Sequence, residues 1–438
     1  MNTGNVLQRI WTLSLVILLA GFIGIGQSNA QTYVDGNGPG NDAFDGSQMS
    51  VGLFPAGPKA TITAAMTAAP NGGTVVILSG NYVANGVLNA AATKSLTLQV
   101  RTSGGNVNVV IDGITQDDAA RTLTLGVETA ASGGTFVTDG TANDLTLTAG
   151  GVINNGGLTI GAGGTVTRAA GTLTGTAITT TNYNLTYTSA LAANITAGNE
   201  ANASLGTGTL TFAHTGALVT VPSATTAATI TSTSAGNVTF SSSATATAAA
   251  AGAFNVSGGA TVTVSGALGA SNAAGGITTS AASNLTAGAT TVSGVAFAHS
   301  GTGTVTVASL SLPSNTSVLT VSAAGAFNVT GDVNAGGTAG RTIIGNTSTA
   351  IVTVGSVSTG APFVDAVGDQ VDITSVVSNT STGRVIINGA ITEGSVTEAL
   401  GGGGAGDVEY HAVSLTNAAN GRISIGASST VRGDITNA

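Results

Sequence analysis

From about residue 95 the chain is a string of short segments in which an aliphatic or aromatic residue alternates with threonine. Examples are Ser95-Leu96-Thr97-Leu98, Thr122-Leu123-Thr124-Leu125, Asp144-Leu145-Thr146-Leu147 and Thr209-Leu210-Thr211-Phe212. Later come Thr261-Val262-Thr263-Val264 and Thr304-Val305-Thr306-Val307. Period two places Leu, Val and Phe on one side of a strand and Thr on the other. Gly, Asn and Ser separate the segments, as turns require. Pieces repeat: Ala251-Gly252-Ala253-Phe254-Asn255-Val256 returns as Ala324-Gly325-Ala326-Phe327-Asn328-Val329, and Phe212-Ala213-His214 as Phe297-Ala298-His299. Such self-similarity predicts a solenoid, with about 21 residues per turn and about 17 turns after residue 74. At about 4.8 Å per turn that is a rod of about 80 Å.

Charge sharpens this reading. Residues 201–331 contain no Asp, Glu, Lys or Arg, and the 438-residue chain has only 10 basic and 19 acidic side chains. A nucleic-acid surface needs clustered Lys and Arg, so that class of partner is excluded. The absence of cysteine removes disulfides, thiolate metal sites and lipid attachment through a cysteine. Sustained alternation and 42% hydrophobic residues argue against disorder despite the abundance of Gly, Ser and Thr.

Residues 1–30 read as an address. Arg9 precedes an apolar run from Leu13 to Ile25, and Ser28-Asn29-Ala30 supplies a small-x-small cleavage signature. A secretory signal peptide cut after Ala30 is expected, and with it an extracellular or cell-surface location. The run is short for a membrane span, and the mature chain is expected to have no transmembrane anchor.

Residues 31–94 carry the most specific order of motifs. Tyr33-Val34-Asp35-Gly36 leads into Gly40-Asn41-Asp42-Ala43-Phe44-Asp45-Gly46. Pro58 suits the first turn of a helix, and Ile62, Ala65, Met66 and Ala69 share one helical face. Pro70 to Gly73 stop that helix, Thr74–Leu78 is a buried strand, and Ser79-Gly80-Asn81 turns before Tyr82. This order resembles the N-terminal end of right-handed parallel β-helix proteins, the pectin-lyase-like superfamily. The resemblance implies an all-β fold, a right-handed parallel β-helix (β-solenoid) with a short N-terminal capping helix. The expected organisation is signal peptide 1–30, cap and first rung 31–94, low-charge solenoid 95–331, and a C-terminal solenoid segment 332–438 interrupted by a Gly-rich loop at Gly401–Gly406.

Chemistry has few places to sit. The charge-free span offers only His214 and His299, read as equivalent positions of a repeat. Asp112, Asp117, Asp118 and Arg121 form the best acidic loop; the resemblance implies that lyase members use such carboxylates for Ca²⁺ with an Arg or Lys base. No Gly-His dipeptide of the polygalacturonase kind occurs, and a solvated loop is the plainer account. Asp35, Asn37, Asn41, Asp42 and Asp45 are oxygen-rich enough for a structural Ca²⁺, the one cofactor considered; Asx-turns that bond their own backbone are the competing account. Asn-x-Ser/Thr at Asn184, Asn237 and Asn284, and the tripeptide Arg432-Gly433-Asp434, are read as chance. The expected function is a secreted or surface-exposed structural, adhesin-like β-helix without catalysis, meeting surface glycans or other cells. The alternative is a polysaccharide-binding or polysaccharide-degrading β-helix. Ice or mineral binding through Thr-x-Thr is disfavoured because the pairs are unevenly spaced along the chain.

Overall fold

The computed structural model describes residues 203–361 apart from 251 and 338, residues 373–397, and residues 408–437 apart from 419. Before these it describes one helix and the strands between residues 31 and 197 with some of their flanking residues. Residues 1–30 and the Gly401–Gly406 loop lie outside the described residues.

The protein is built of parallel strands in stacked sheets. Sheets of 6 and 4 strands lie in the N-terminal half, and sheets of 16 and 15 strands dominate the rest. In the 16-stranded sheet one pairing is antiparallel, Ser395–Thr397 on Val408–Asn417. Strands follow the alternation of the sequence. In Thr209–Phe212, Leu218–Val221 and Thr229–Ser232 every second side chain is buried and the others face outward.

Strand pairing shows how the chain travels. On the 16-stranded sheet Ile230, Phe254, Ile277, Phe297, Leu319 and Ile344 succeed one another, with steps of 24, 23, 20, 22 and 25 residues. On the 15-stranded sheet Val238, Val262, Leu285, Val305, Phe327 and Val352 succeed one another with the same five steps. Each circuit of the chain therefore adds one strand to both sheets. The passage from the first to the second is eight residues every time, from Ile230 to Val238 and on through Leu415 to Ile423. From Ile230 onward, variation in circuit length is therefore confined to the return path. On the 16-stranded sheet the two longest circuits, 33 and 38 residues, carry Ile344 to Val377 and Val377 to Leu415.

The core is a set of buried columns. Tyr187 stacks on Phe212 at 5.2 Å, Phe212 meets Phe240 edge-on at 5.7 Å, and Phe297 meets Phe327 edge-on at 4.8 Å. The columns are otherwise filled with Leu, Ile, Val and Ala. Burial of such side chains contributes about 1.5–3 kcal/mol each for the larger ones.

At the N-terminal end, Gln31–Val34 pairs with Thr74–Ile77 in parallel, and the helix α1 (Ile62–Ala68) packs beside them. Ile62, Ala65, Met66 and Ala69 are buried, the face that the spacing predicts. The helix begins four residues later than Pro58 suggests. Asp42 fixes its start: Oδ1 accepts from the backbone N–H groups of Ala60 (3.0 Å) and Thr61 (2.8 Å), and Oδ2 from the Thr61 hydroxyl (3.0 Å). Thr61 then accepts from the Ala64 N–H as N-cap. At the other end the Lys94 ammonium donates to the carbonyls of Thr67 and Ala69 at 2.6 Å, which complements the negative end of the helix.

Candidate functional surface

Asp112, Asp117, Asp118 and Arg121 lie outside the described residues. Their neighbours are strands: Ile111 and Ile114 are buried on either side of Asp112, and residues 117–121 join Ile114–Gln116 to Thr122–Val127. Asn37 and Asp45 also lie outside. Asp42 accepts three hydrogen bonds at the start of α1, and the Asn41 side chain accepts from the Ala43 N–H at 2.9 Å, an Asx-turn. Asp35 closes the first strand, its N–H donating to the Lys59 carbonyl. Among the described residues no group of three His, Asp or Glu side chains is placed to share a metal ion.

His214 and His299 both face inward and are buried. They are not equivalent positions. Phe297 stands in the column of Leu210, so His299 occupies the column of Phe212, while His214 lies two residues further along. A shift of two preserves the alternation, so the same tripeptide fits both registers. His299 Nδ1 bonds the Thr279 hydroxyl at 2.7 Å, and His214 Nε2 bonds the Asn237 carbonyl at 3.1 Å. Each ring fills space left by a glycine of the next circuit, Gly236 against His214 and Gly325 against His299, where a Cβ would overlap the imidazole. Burial lowers both histidine pKa values.

The third histidine, His411, belongs to a buried polar cluster that sequence reading missed. Its Nδ1 lies 3.2 Å from the Gly360 carbonyl and must donate there. Nε2 is then the acceptor for the Ser375 hydroxyl at 2.7 Å. A hydroxyl on a neutral imidazole is the geometry of a nucleophile and its base. Here both residues are fully buried, so no substrate reaches the pair. Burial lowers the His411 pKa; the Arg341 charge adds to this and Glu393 opposes it. Glu393 accepts from the N–H groups of Val413 and Arg432 and from the Arg432 guanidinium at 2.9 Å. Arg432 also lies 3.7 Å over the Tyr410 ring. The Arg432-Gly433-Asp434 tripeptide is thus tied into the fold, with the Asp434 N–H bonded to Ser414.

The corner between the two long sheets holds an amide ladder. Asn346 donates to Asn379 (3.1 Å), Asn379 to Asn417 (3.0 Å) and Asn417 to Asn437 (2.8 Å). Each of the first three also donates to the carbonyl four residues on, Ala350, Gly383 or Gly421. Asn184, Asn237 and Asn284 brace the outside in another way: each Oδ1 accepts the N–H of a residue on the next circuit, Thr209, Thr261 or Thr304.

What the surface presents is hydroxyl. Thr167, Thr186, Thr211 and Thr231 form one outward column, continued by Asn255 and Thr278. Thr220, Thr239, Thr263, Thr286 and Thr306 form a second. Thr226, Thr245, Gly269, Thr291 and Ser311 form a third. The threonines are unevenly spaced along the chain but evenly stacked in space, at about 4.8 Å. The strand register absorbs the unequal turn lengths. Among the described residues no helix is long and apolar enough to cross a membrane. The chain matches no known protein-family model, no curated protein and no solved structure.

Proposed function

We propose that the chain is a right-handed parallel β-helix closed at its N-terminal end by α1, exported by residues 1–30, and displayed at the cell surface as a structural, adhesin-like rod without catalysis. The observation that carries this reading is the set of three in-register hydroxyl columns, which within residues 201–331 run over a span that has no charged side chain. Equal steps on both long sheets support the coil, since a chain winding round a closed circuit advances equally on every face. An enzyme groove on such a coil draws on projecting loops with Arg, Lys and Asp. Between residues 203 and 337 the described corners are short and rich in Gly, Ser and Ala, with Pro, Asn and Thr among them and no charged side chain before Asp332.

A hydroxyl face has no fixed charge to be screened. Retention of cells or neutral glycans on immobilised protein should therefore change little between about 0.05 and 0.5 M salt, where the Debye length falls from about 14 to 4 Å. Retention that collapses over this range would move the adhesive surface to the anionic flanks. Release of unsaturated or reducing ends from acidic glycans, abolished by Asp118→Ala, would replace the reading with a polysaccharide-degrading one.

A further inference from the structure

We propose that His411 is an acid-operated clamp: its protonation frees the antiparallel pair Ser395–Thr397 and Val408–Tyr410 from the stack and leaves the parallel coil folded. This is the one antiparallel pairing among the described residues. The strand Val408–Asn417 changes partners at His411. Residues 408–410 pair with Ser395–Thr397, and residues 411–417 pair with Ile373–Asn379. The two feet of the antiparallel pair, Gly394 and His411, are tied to each other, since the His411 N–H donates to the Gly394 carbonyl at 2.8 Å. Both are also tied to Thr359. Its hydroxyl accepts from the Gly394 N–H at 3.0 Å and donates to the His411 carbonyl at 2.8 Å. The imidazole then bonds the Gly360 carbonyl and the Ser375 hydroxyl, so one side chain fastens both feet to two neighbouring strands.

The partners fit the neutral ring alone. Ser375 Oγ already accepts the Arg341 N–H at 3.4 Å while its hydrogen goes to His411 Nε2. A protonated Nε2 needs that Oγ as acceptor, which turns the hydroxyl hydrogen toward no acceptor among the described residues. The imidazolium is also a charge in a fully buried position. The charged groups that act on it among the described residues are Arg341, which repels it, and Glu393, which attracts it. Glu393 is already engaged by the Val413 and Arg432 N–H groups and the Arg432 guanidinium, and that guanidinium covers the Tyr410 ring. Burial is the main cause of the lowered His411 pKa, with Arg341 adding to it and the Gly360 carbonyl and Glu393 opposing. Opening returns the ring to water, where its pKa is about 6.5. Below that pH the open form gains a proton that the closed form does not hold, so acid favours opening. The parallel part of the strand is fastened at its far end by the Asn379–Asn417 amide bond, which does not titrate.

Hydrogen exchange of the full chain between pH 7.5 and 5, corrected for the intrinsic pH dependence of amide exchange, tests this. Opening at Gly394, His411 and the antiparallel pair should rise by about 30-fold over this range, about tenfold per pH unit below pH 6.5. Amides of Arg384–Ile387 in the parallel coil should change far less. His411→Gln, which keeps a donor and an acceptor but does not titrate, should abolish the response. Ser375→Ala removes the hydroxyl that favours the neutral ring, so it should open more at pH 7.5 and respond less to acid; if His411→Gln does not fold, this variant decides. Equal opening at both pH values, a response that survives His411→Gln, an undiminished response in Ser375→Ala, or equal opening of Arg384–Ile387 would each overturn the proposal. The clamp does not involve the hydroxyl columns, so loss of adhesion and loss of the acid response are separate outcomes.

Discussion

Asn379→Ala removes the middle of the buried amide ladder, and the structure sets the size of the effect. Three hydrogen bonds disappear: from Asn346, to Gly383 and to Asn417. The partners are not all orphaned. Asn346 keeps the Ala350 carbonyl, and Gly383 keeps the Arg422 N–H. The loss is therefore about 1 kcal/mol per bond, or about 3 kcal/mol together. At 1.4 kcal/mol per decade this corresponds to roughly 150-fold faster local opening. Hydrogen exchange of Arg384–Ile387 reads it directly, since these amides sit in the strand that follows the corner. The double variant with Asn346→Ala should lose less than the sum of the singles by about 1 kcal/mol, because the shared bond is lost once. Exchange that changes less than about threefold would refute the reasoning.

Other perturbations test separate parts of the fold. Met66→Asp buries a carboxylate against the first strands and should cost several kcal/mol; an unchanged unfolding midpoint would contradict the packing of α1. Gly325→Ala forces a methyl onto the His299 ring and the Gly303 carbonyl, and should lower the melting temperature through about 1–3 kcal/mol of overpacking. The three buried histidines have lowered pKa values, so the unfolded chain binds more protons below about pH 6.5. Stability from this source is complete above that pH and is lost as pH falls toward the folded-state values, visible as a falling melting temperature between pH 7.5 and 5 that is shallower in His299→Gln. Chelation of Ca²⁺ is expected to leave the melting temperature unchanged, since Asp42 is occupied by the start of α1.

Strand content, the buried face of each strand and the helix face at residues 62–69 were legible in the sequence because each depends on local periodicity. Register was not. Ala251–Val256 and Ala324–Val329 are the same hexapeptide, yet Phe254 lies in the 16-stranded sheet and Phe327 in the 15-stranded sheet. Repeats here mark local strand chemistry, since Gly-Ala-Phe-Asn-Val suits any inward face of the stack. The same degeneracy hid the even stacking of threonines, because turn lengths vary on the return path while the eight-residue corner stays fixed. His411 and Glu393 were passed over because their partners are remote in sequence: Ser375, Gly360 and Thr359 lie 36, 51 and 52 residues from His411, and Val413 and Arg432 lie 20 and 39 from Glu393. One cue was available: the pattern Asn346, Asn379 and Asn417, each followed four residues later by Ala or Gly.

The uncharged hydroxyl columns are the centre of the account, and charging one of them tests it most directly. Thr239→Lys, Thr263→Lys and Thr286→Lys together place three ammonium groups on adjacent circuits of one column. All three positions face outward, so the fold should survive, with melting temperature and far-ultraviolet circular dichroism close to the parent. Retention of cells or neutral glycans at low salt should then differ from the parent and acquire a salt dependence that the parent lacks. Retention identical to the parent at every salt concentration, for this column and for the equivalent variants of the other two, would contradict the claim that these faces do the binding.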